Sequence, residues 1–217
     1  MNADAKVQMD NMYRYQRYFY DLTRKYYLFG RDRLIAELPV GSQDVICEVG
    51  CGTARNLIML AKKHPGASFF GIDASTEMLK TADANVRASG LMGRVQVATA
   101  LAQDFDGGIL FGLQKPFDRL IFSYALSIMD DWRPACAHAF SQLKPGGTIH
   151  VVDFGDQEGL PNWFKKFLGG WLAQFHVRFR PEVRAYFEAL EREGRGTMTY
   201  RSLMRGYAYR LDFTTKA

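Results

Sequence analysis

Cysteine is scarce in this chain, with three in 217 residues. That is too few for the disulfide framework of a small secreted scaffold. Cys47 falls on a strand, Cys51 in a glycine turn and Cys136 on a helix. No Cys/His cluster has the spacing of a zinc site, so no metal is expected. Long apolar runs are also missing, since no uninterrupted stretch approaches the ~20 residues of a membrane span. The opening MNADAKVQMD is polar and lacks the apolar region of a secretory signal. Repeats and low-complexity tracts are absent too. These absences together predict a cytoplasmic protein.

What is present suits one α/β domain. Hydrophobic residues make up 47% of the chain, enough for a substantial core. The net charge of +5 is unevenly spread. Residues 1–36 carry seven basic and four acidic side chains, residues 37–160 ten and fourteen, and residues 161–217 eleven and five. The two basic segments are also rich in Tyr, Phe and Trp. Basic plus aromatic surface suits an anionic membrane or a nucleic acid.

Hydrophobic periodicity and punctuation divide the chain as follows. Residues 10–28 read as an aromatic amphipathic helix broken by Gly30, and 31–38 as a second helix. Strands are expected at 44–49, 67–72, 94–99, 116–125 and 148–154. Helices are expected at about 54–64, 76–89 and 132–143. Residues 104–115 read as a short helix or a loop. Strands that alternate with helices predict a parallel sheet covered on both faces. Beyond 160 the pattern changes to a Trp- and Phe-rich helix, with Gly169-Gly170 as a possible kink, and then a helix over 180–193. Two β runs joined near 204–206 follow as a hairpin at the sheet edge. The expected organisation is one domain over 1–217. Residues 1–40 form helices covering a site, 41–160 a nucleotide-binding core, and 161–217 C-terminal helices and hairpin.

The most telling stretch is DVICEVGCGTARNLIMLAKKHPGASFFGIDAS, Asp44 to Ser75. An apolar strand runs into Glu48, a turn follows through Gly50 and Gly52, and then a helix and a strand ending in Asp73. A dinucleotide fingerprint has no acid between strand and glycines. With LKPGG at Leu143 to Gly147 downstream, the acid-first pattern resembles motif I of class I S-adenosylmethionine-dependent methyltransferases. Glycine lets the backbone turn sharply and approach a ligand closely. The resemblance implies S-adenosyl-L-methionine as cofactor and a Rossmann-like, mostly parallel seven-stranded sheet. Glu48 would attract the cationic side of the methionine tail, the following helix N-terminus its carboxylate, and Asp73 both ribose hydroxyls. Ala54 replaces a third glycine, which reads as a mild change. The acid usual after strand three falls near Leu101, which accepts no hydrogen bond. Gln103 or the backbone at Ala102 is the expected substitute at the adenine.

Longer segments narrow the resemblance. YDLTRKYYLFGRDRLI, FSYALSIM and RGYAYRL are similar to the N-methyltransferases of betaine-lipid synthesis, which make diacylglyceryl-trimethylhomoserine. That resemblance implies methylation of a diacylglyceryl-homoserine amine at an anionic membrane surface, with the enzyme peripheral on the inner face. Phosphatidylethanolamine or another small amine is the alternative acceptor. It also implies a functional link to the enzyme that makes diacylglyceryl-homoserine. A nucleic-acid partner is not expected, because no N-P-P-Y or D-P-P-Y tetrapeptide follows strand four, where the chain reads FSYALS.

Quaternary ammonium groups favour aromatic faces, by ~0.5–2 kcal/mol per contact. The acceptor-site candidates are therefore Tyr13, Tyr27, Tyr124 and Tyr207, with His176 for a carboxylate or proton. Arg31 is a candidate for the methionine carboxylate, and Asp153 for the substrate ammonium or a loop cap. Cys51, Ala74, Met78 and Ser123 complete the expected cofactor lining. His138 and His150 read as packing residues.

Overall fold

A computed structural model describes residues 28–173 and 177–217. Seven strands form one sheet: β1 (Val45–Val49), β2 (Ser68–Asp73), β3 (Val95–Thr99), β4 (Phe117–Ser123), β5 (Leu143–Phe154), β6 (Gly196–Leu203) and β7 (Ala208–Thr215). Their order is β3-β2-β1-β4-β5-β7-β6. Strands β1 to β5 pair in parallel, and β7 runs antiparallel to both β5 and β6. The strand order reverses between β1 and β4, so a crevice opens at their carboxyl ends, the usual ligand position in open α/β sheets.

The helices are α1 (Arg31–Glu37), α2 (Arg55–Lys63), α3 (Thr76–Ala88), α4 (Gly107–Phe111), α5 (Trp132–Ser141), α6 (Asn162–Ala173) and α7 (Pro181–Arg192). One core joins Leu34 and Ile35 of α1, Leu57 of α2, Leu79 and Ala82 of α3 and Leu168 of α6 to Ile46, Phe69 and Val152. The other sets Trp132 and Cys136 of α5 and Val183 and Phe187 of α7 against Cys47, Leu120, Val151 and Phe213. Strand β1 is buried along its whole length, as a central parallel strand covered on both faces must be.

One element departs from the sequence reading and two choices it left open are settled. The ambiguous 104–115 region holds the short helix α4, whose first turn is capped by the Asp106 side chain accepting from the Ile109 amide at 2.9 Å. Strand β5 starts at Leu143 rather than 148. Its pairing slips between Phe117↔Leu143 and Arg119↔Thr148, so the LKPGG glycines form a bulged lead-in to the strand, with Gly146 at φ 71°. Helix α6 runs unbroken through Gly169-Gly170. The hairpin matches expectation, with its turn over 204–207.

Candidate functional site

The glycine turn is built by local constraints. Gly50 and Gly52 have φ of 79° and 54°, which glycine adopts without penalty. The amides of Gly50 and Cys51 both donate to the Ile72 carbonyl, at 2.8 and 3.0 Å, which pins the turn to the end of β2. Asp73 at that strand end accepts from the Gly52 amide at 2.8 Å and from the Ser75 amide at 2.9 Å. Ser75 then caps α3 by accepting from Met78 N–H at 3.3 Å. The carboxylate thus ties the glycine turn to the start of α3, and helix α2 begins immediately beyond. Ala54, which precedes it, is fully buried at φ 61°. This replacement is therefore less mild locally than the sequence suggests, because a left-handed conformation is disfavoured for a side chain with a Cβ by roughly 1–2 kcal/mol.

Glu48 is buried at the end of β1 and accepts from Asn56 Nδ2 at 2.6 Å. Asn56 was not singled out in the sequence, although a polar residue beside Leu57 and Ile58 in the first turn of a buried helix is a visible signal. Cys51 turns its side chain into the core. A Cβ on Gly71 would lie 2.7 Å from Cys51 Sγ and 2.6 Å from Leu57 Cδ1, so Gly71 makes room for both. Burial pushes the Cys51 thiol well up, with the Asp73 and Glu48 charges adding. The loop after β3 folds back through Ala100 N–H, which donates to the Asp73 carbonyl at 3.2 Å. Ala102 and Gln103 are half-buried there, and Ala74, just past β2, is half-buried too.

The far wall comes from distant parts of the chain. Ser123 ends β4, and Tyr124 follows it at φ 54°, a strained position for a bulky residue. Its amide donates to the Val152 carbonyl at 2.8 Å and its hydroxyl to the Phe29 carbonyl. The Tyr124 ring meets Phe154 edge-on at 4.7 Å, Phe154 lies 6.0 Å from Tyr207, and Tyr207 meets Phe29 at 5.1 Å. Two sequence candidates, Tyr124 and Tyr207, therefore share one aromatic cluster with two phenylalanines. Burial pushes the Tyr124 hydroxyl well above its usual range, with the Asp153 charge adding. Arg31 is buried close enough to Tyr124 to oppose that rise. Tyr13, Tyr27 and His176 lie outside the described residues.

Asp153 is the loop cap of the two roles expected for it. Its Oδ2 accepts from Ser127 N–H at 2.9 Å and its Oδ1 from Phe154 N–H at 2.8 Å. Complete burial raises its pKa to about 6. This staple brings the loop after β4 over the glycine turn, where a Cβ on Gly50 would lie 3.0 Å from Ala125 Cβ and 3.4 Å from Met129 Cε. Two buried polar atoms beside the crevice, Asn56 Oδ1 and Ser123 Oγ, have no hydrogen-bond partner among the described residues. A backbone cradle that excludes a Cβ, two carboxylates and two orphaned polar atoms fit a small polar cationic ligand.

Comparison with known proteins agrees. Residues 46–147 match a family described as a methyltransferase domain. The matched segment spans just under half of the chain. Domains of that description use S-adenosylmethionine; Glu48, the glycine turn, Asp73 and Tyr124 fall inside the matched segment, and Phe29, Asp153, Phe154 and Tyr207 outside it. The demethylmenaquinone methyltransferase of Thermus thermophilus is 29% identical over 62% of this chain and 60% of its own length. The ubiquinone/menaquinone biosynthesis C-methyltransferase UbiE of Geotalea daltonii is 26% identical over 62% of this chain and 58% of its own. The chain thus spans about three-fifths of the length of these two curated relatives. Among solved structures, the mitomycin 7-O-methyltransferase MmcR superposes with a TM-score of 0.68 at 14% identity, over 87% of this chain and 53% of its own. The YcgJ protein of Bacillus subtilis gives 0.63 at 15% identity, over 87% and 98%. These likenesses establish the fold of the methyltransferase domain.

Proposed function

We propose that the chain is an S-adenosylmethionine-dependent N-methyltransferase acting on the amine of diacylglyceryl-homoserine, giving the trimethylated betaine lipid. The observation that carries this reading is the cluster of Phe29, Tyr124, Phe154 and Tyr207 at the carboxyl ends of β4 and β5. Such faces suit an ammonium that gains methyl groups and loses its capacity to donate hydrogen bonds. The resemblance of FSYALSIM and RGYAYRL to betaine-lipid enzymes supports the acceptor, since these segments contribute Tyr124 and Tyr207 to that cluster.

When bound, the cofactor supplies a methyl group on a cationic sulfonium. The remaining work belongs to the chain. Glu48 and Asp73 would hold the cofactor's methionine and ribose portions, with Asn56 fixing the Glu48 carboxylate. Gly50 and Gly52 would allow close backbone approach, and Ala102 and Gln103 would border the adenine. The aromatic cluster would orient the amine lone pair toward the methyl and exclude water, an effect worth ~7–11 kcal/mol in well-oriented reactions. The Tyr124 hydroxyl, protonated at neutral pH and donating to the Phe29 carbonyl, would position the wall and take no proton from the amine.

A second reading has a specific motive, because the relatives above are named for carbon and oxygen methylation. An apolar wall also suits a quinol-like ring. Transfer of a labelled methyl group from S-adenosylmethionine to diacylglyceryl-homoserine, phosphatidylethanolamine and a demethylated quinol, each in detergent micelles, separates the readings. Transfer to the homoserine lipid is expected, and transfer confined to the quinol would overturn the amine reading. Calorimetry with the methyl donor tests the cofactor site. Asp73→Ala removes a charged acceptor, so affinity is expected to fall roughly 100-fold, and unchanged affinity would misplace the site.

A further inference from the structure

Among the described residues, the large apolar side chains left exposed are not spread evenly. Met92 and Ile109 lie in segments that lead into the amino ends of β3 and β4. Phe29, Trp163, Phe167, Phe179 and Met204 lie in segments tied to the carboxyl edge, where the crevice opens. Phe29 packs on Tyr207. The 177–180 segment is held by Arg178 N–H donating to the Ser127 carbonyl at 3.0 Å. The hairpin turn bearing Met204 is bonded to the loop that enters α6, through Gln157 N–H to the Gly206 carbonyl at 2.7 Å and Gly159 N–H to the Arg205 carbonyl at 3.1 Å.

Helix α6 concentrates the pattern. Successive residues lie about 100° apart around a helix, so residues four apart stack in one row. The row of Phe164 and Leu168 faces the first core, with Leu168 buried. The row of Trp163 and Phe167 points to solvent, with exposures of 71% and 67%. Over 163–168 the large apolar residues thus fall in two rows, one toward the core and one outward. Lys166 is exposed beside the outer row, and Lys165 lies half-buried with Nζ 3.1 Å from the Glu158 carbonyl. The hairpin turn adds Met204, 57% exposed, and Arg205. Asp156 and Glu158 are exposed on the entering loop. An outward Trp and Phe beside two lysines on one helix, with Arg205 on the hairpin turn bonded to its entering loop, is the composition of an interfacial membrane surface. A second copy docking through this face would bring Lys165 and Lys166 toward their own counterparts, whereas anionic headgroups complement them.

We propose that the outer row of α6 and the hairpin turn dock the chain on an anionic bilayer. Trp163, Phe167 and Met204 would enter the interface, with Lys165, Lys166 and Arg205 at headgroup level. This deepens the lipid-acceptor reading by naming the surface on which that site works, but the geometry stands without it.

The test is co-flotation of the full chain with vesicles of phosphatidylglycerol and phosphatidylcholine in equal parts, or of phosphatidylcholine alone. Neither lipid is a methyl acceptor in the proposed reaction, so failure of the acceptor reading leaves this outcome untouched. The native chain should float with the anionic vesicles and release as salt rises. Trp163→Ser/Phe167→Ser removes only exposed side chains, so circular dichroism and methyl-donor affinity should not change, while vesicle affinity should fall roughly tenfold or more. Equal flotation of native and variant chains would overturn the proposal. So would failure of the native chain to float, or a dimer in sedimentation that only the variant dissolves, which would assign the face to self-association.

Discussion

The two walls of the crevice are made in opposite ways. The β1–β2 wall is assembled within 31 residues, Glu48 to Met78, from backbone amides, small residues and carboxylates that bond to near neighbours. The β4–β5 wall draws Phe29, Tyr124, Asp153 and Tyr207 from four separate segments and holds them by ring contacts and a buried carboxyl. A wall made of local bonds can keep its form through one ligand class, while a wall made of tertiary contacts can change its rings without disturbing the turn opposite. On the proposed reading, cofactor chemistry would belong with the first and acceptor choice with the second.

The sharpest way to break that division is at Asp153. Asp153→Ala leaves the Ser127 and Phe154 amides buried without acceptors, at about 1–3 kcal/mol each, so urea unfolding should show a loss of roughly 2–5 kcal/mol. The ionisation of Asp153 also has a sign that can be checked. Its folded pKa of about 6 lies above the ordinary 3.8, so the folded state holds the proton more tightly. The contribution is complete below pH ~3.8, declines by about 1.4 kcal/mol per pH unit through the window, and is gone above pH ~6. Unfolding curves from pH 4 to 7 should therefore show a decline in the native chain of up to about 3 kcal/mol relative to Asp153→Asn. Parallel curves would mean that the carboxyl is solvated and the staple is not closed.

This asymmetry also explains what could be read from the sequence. The order of strands and helices, the glycine turn with its two carboxylates, the capped start of α3 and the edge hairpin depend on neighbours in the chain, so periodicity and turn chemistry suffice. Tyr124 and Tyr207 could be named as candidates, but their meeting with Phe154 and Phe29 could not, since 83 residues separate the two tyrosines. The staple role of Asp153 depends on an amide 26 residues away. The Trp- and Phe-rich composition of α6 was legible, but its split into an inward and an outward row was not, because periodicity does not say which side the core lies on.

Gly50→Ala probes the contact between the two walls. The new methyl would take a φ of 79° and lie 3.0 Å from Ala125 Cβ, so a loss of about 1–3 kcal/mol is expected, with weaker methyl-donor binding. Adding Ala125→Gly should relieve the contact but not the backbone strain, and so restore only part of the stability. Full restoration would show that the wall opposite, rather than the turn itself, requires glycine.

Ala54→Gly should do least, and for an instructive reason. Glycine relieves the left-handed strain at φ 61°, by roughly 1–2 kcal/mol. It also removes a fully buried methyl, worth ~0.8 kcal/mol, and loosens the unfolded chain by ~0.4–1 kcal/mol. These contributions nearly cancel, so a change in stability within about 0.5 kcal/mol of zero is expected by urea unfolding. Methyl-donor affinity should hold, because Ala54 N–H donates to the Cys51 carbonyl at 3.0 Å and glycine keeps that bond. A large gain would show that the buried methyl packs poorly. A large loss would show that it fixes the start of α2, and hence the amides that border the crevice, more firmly than the turn's own hydrogen bonds do.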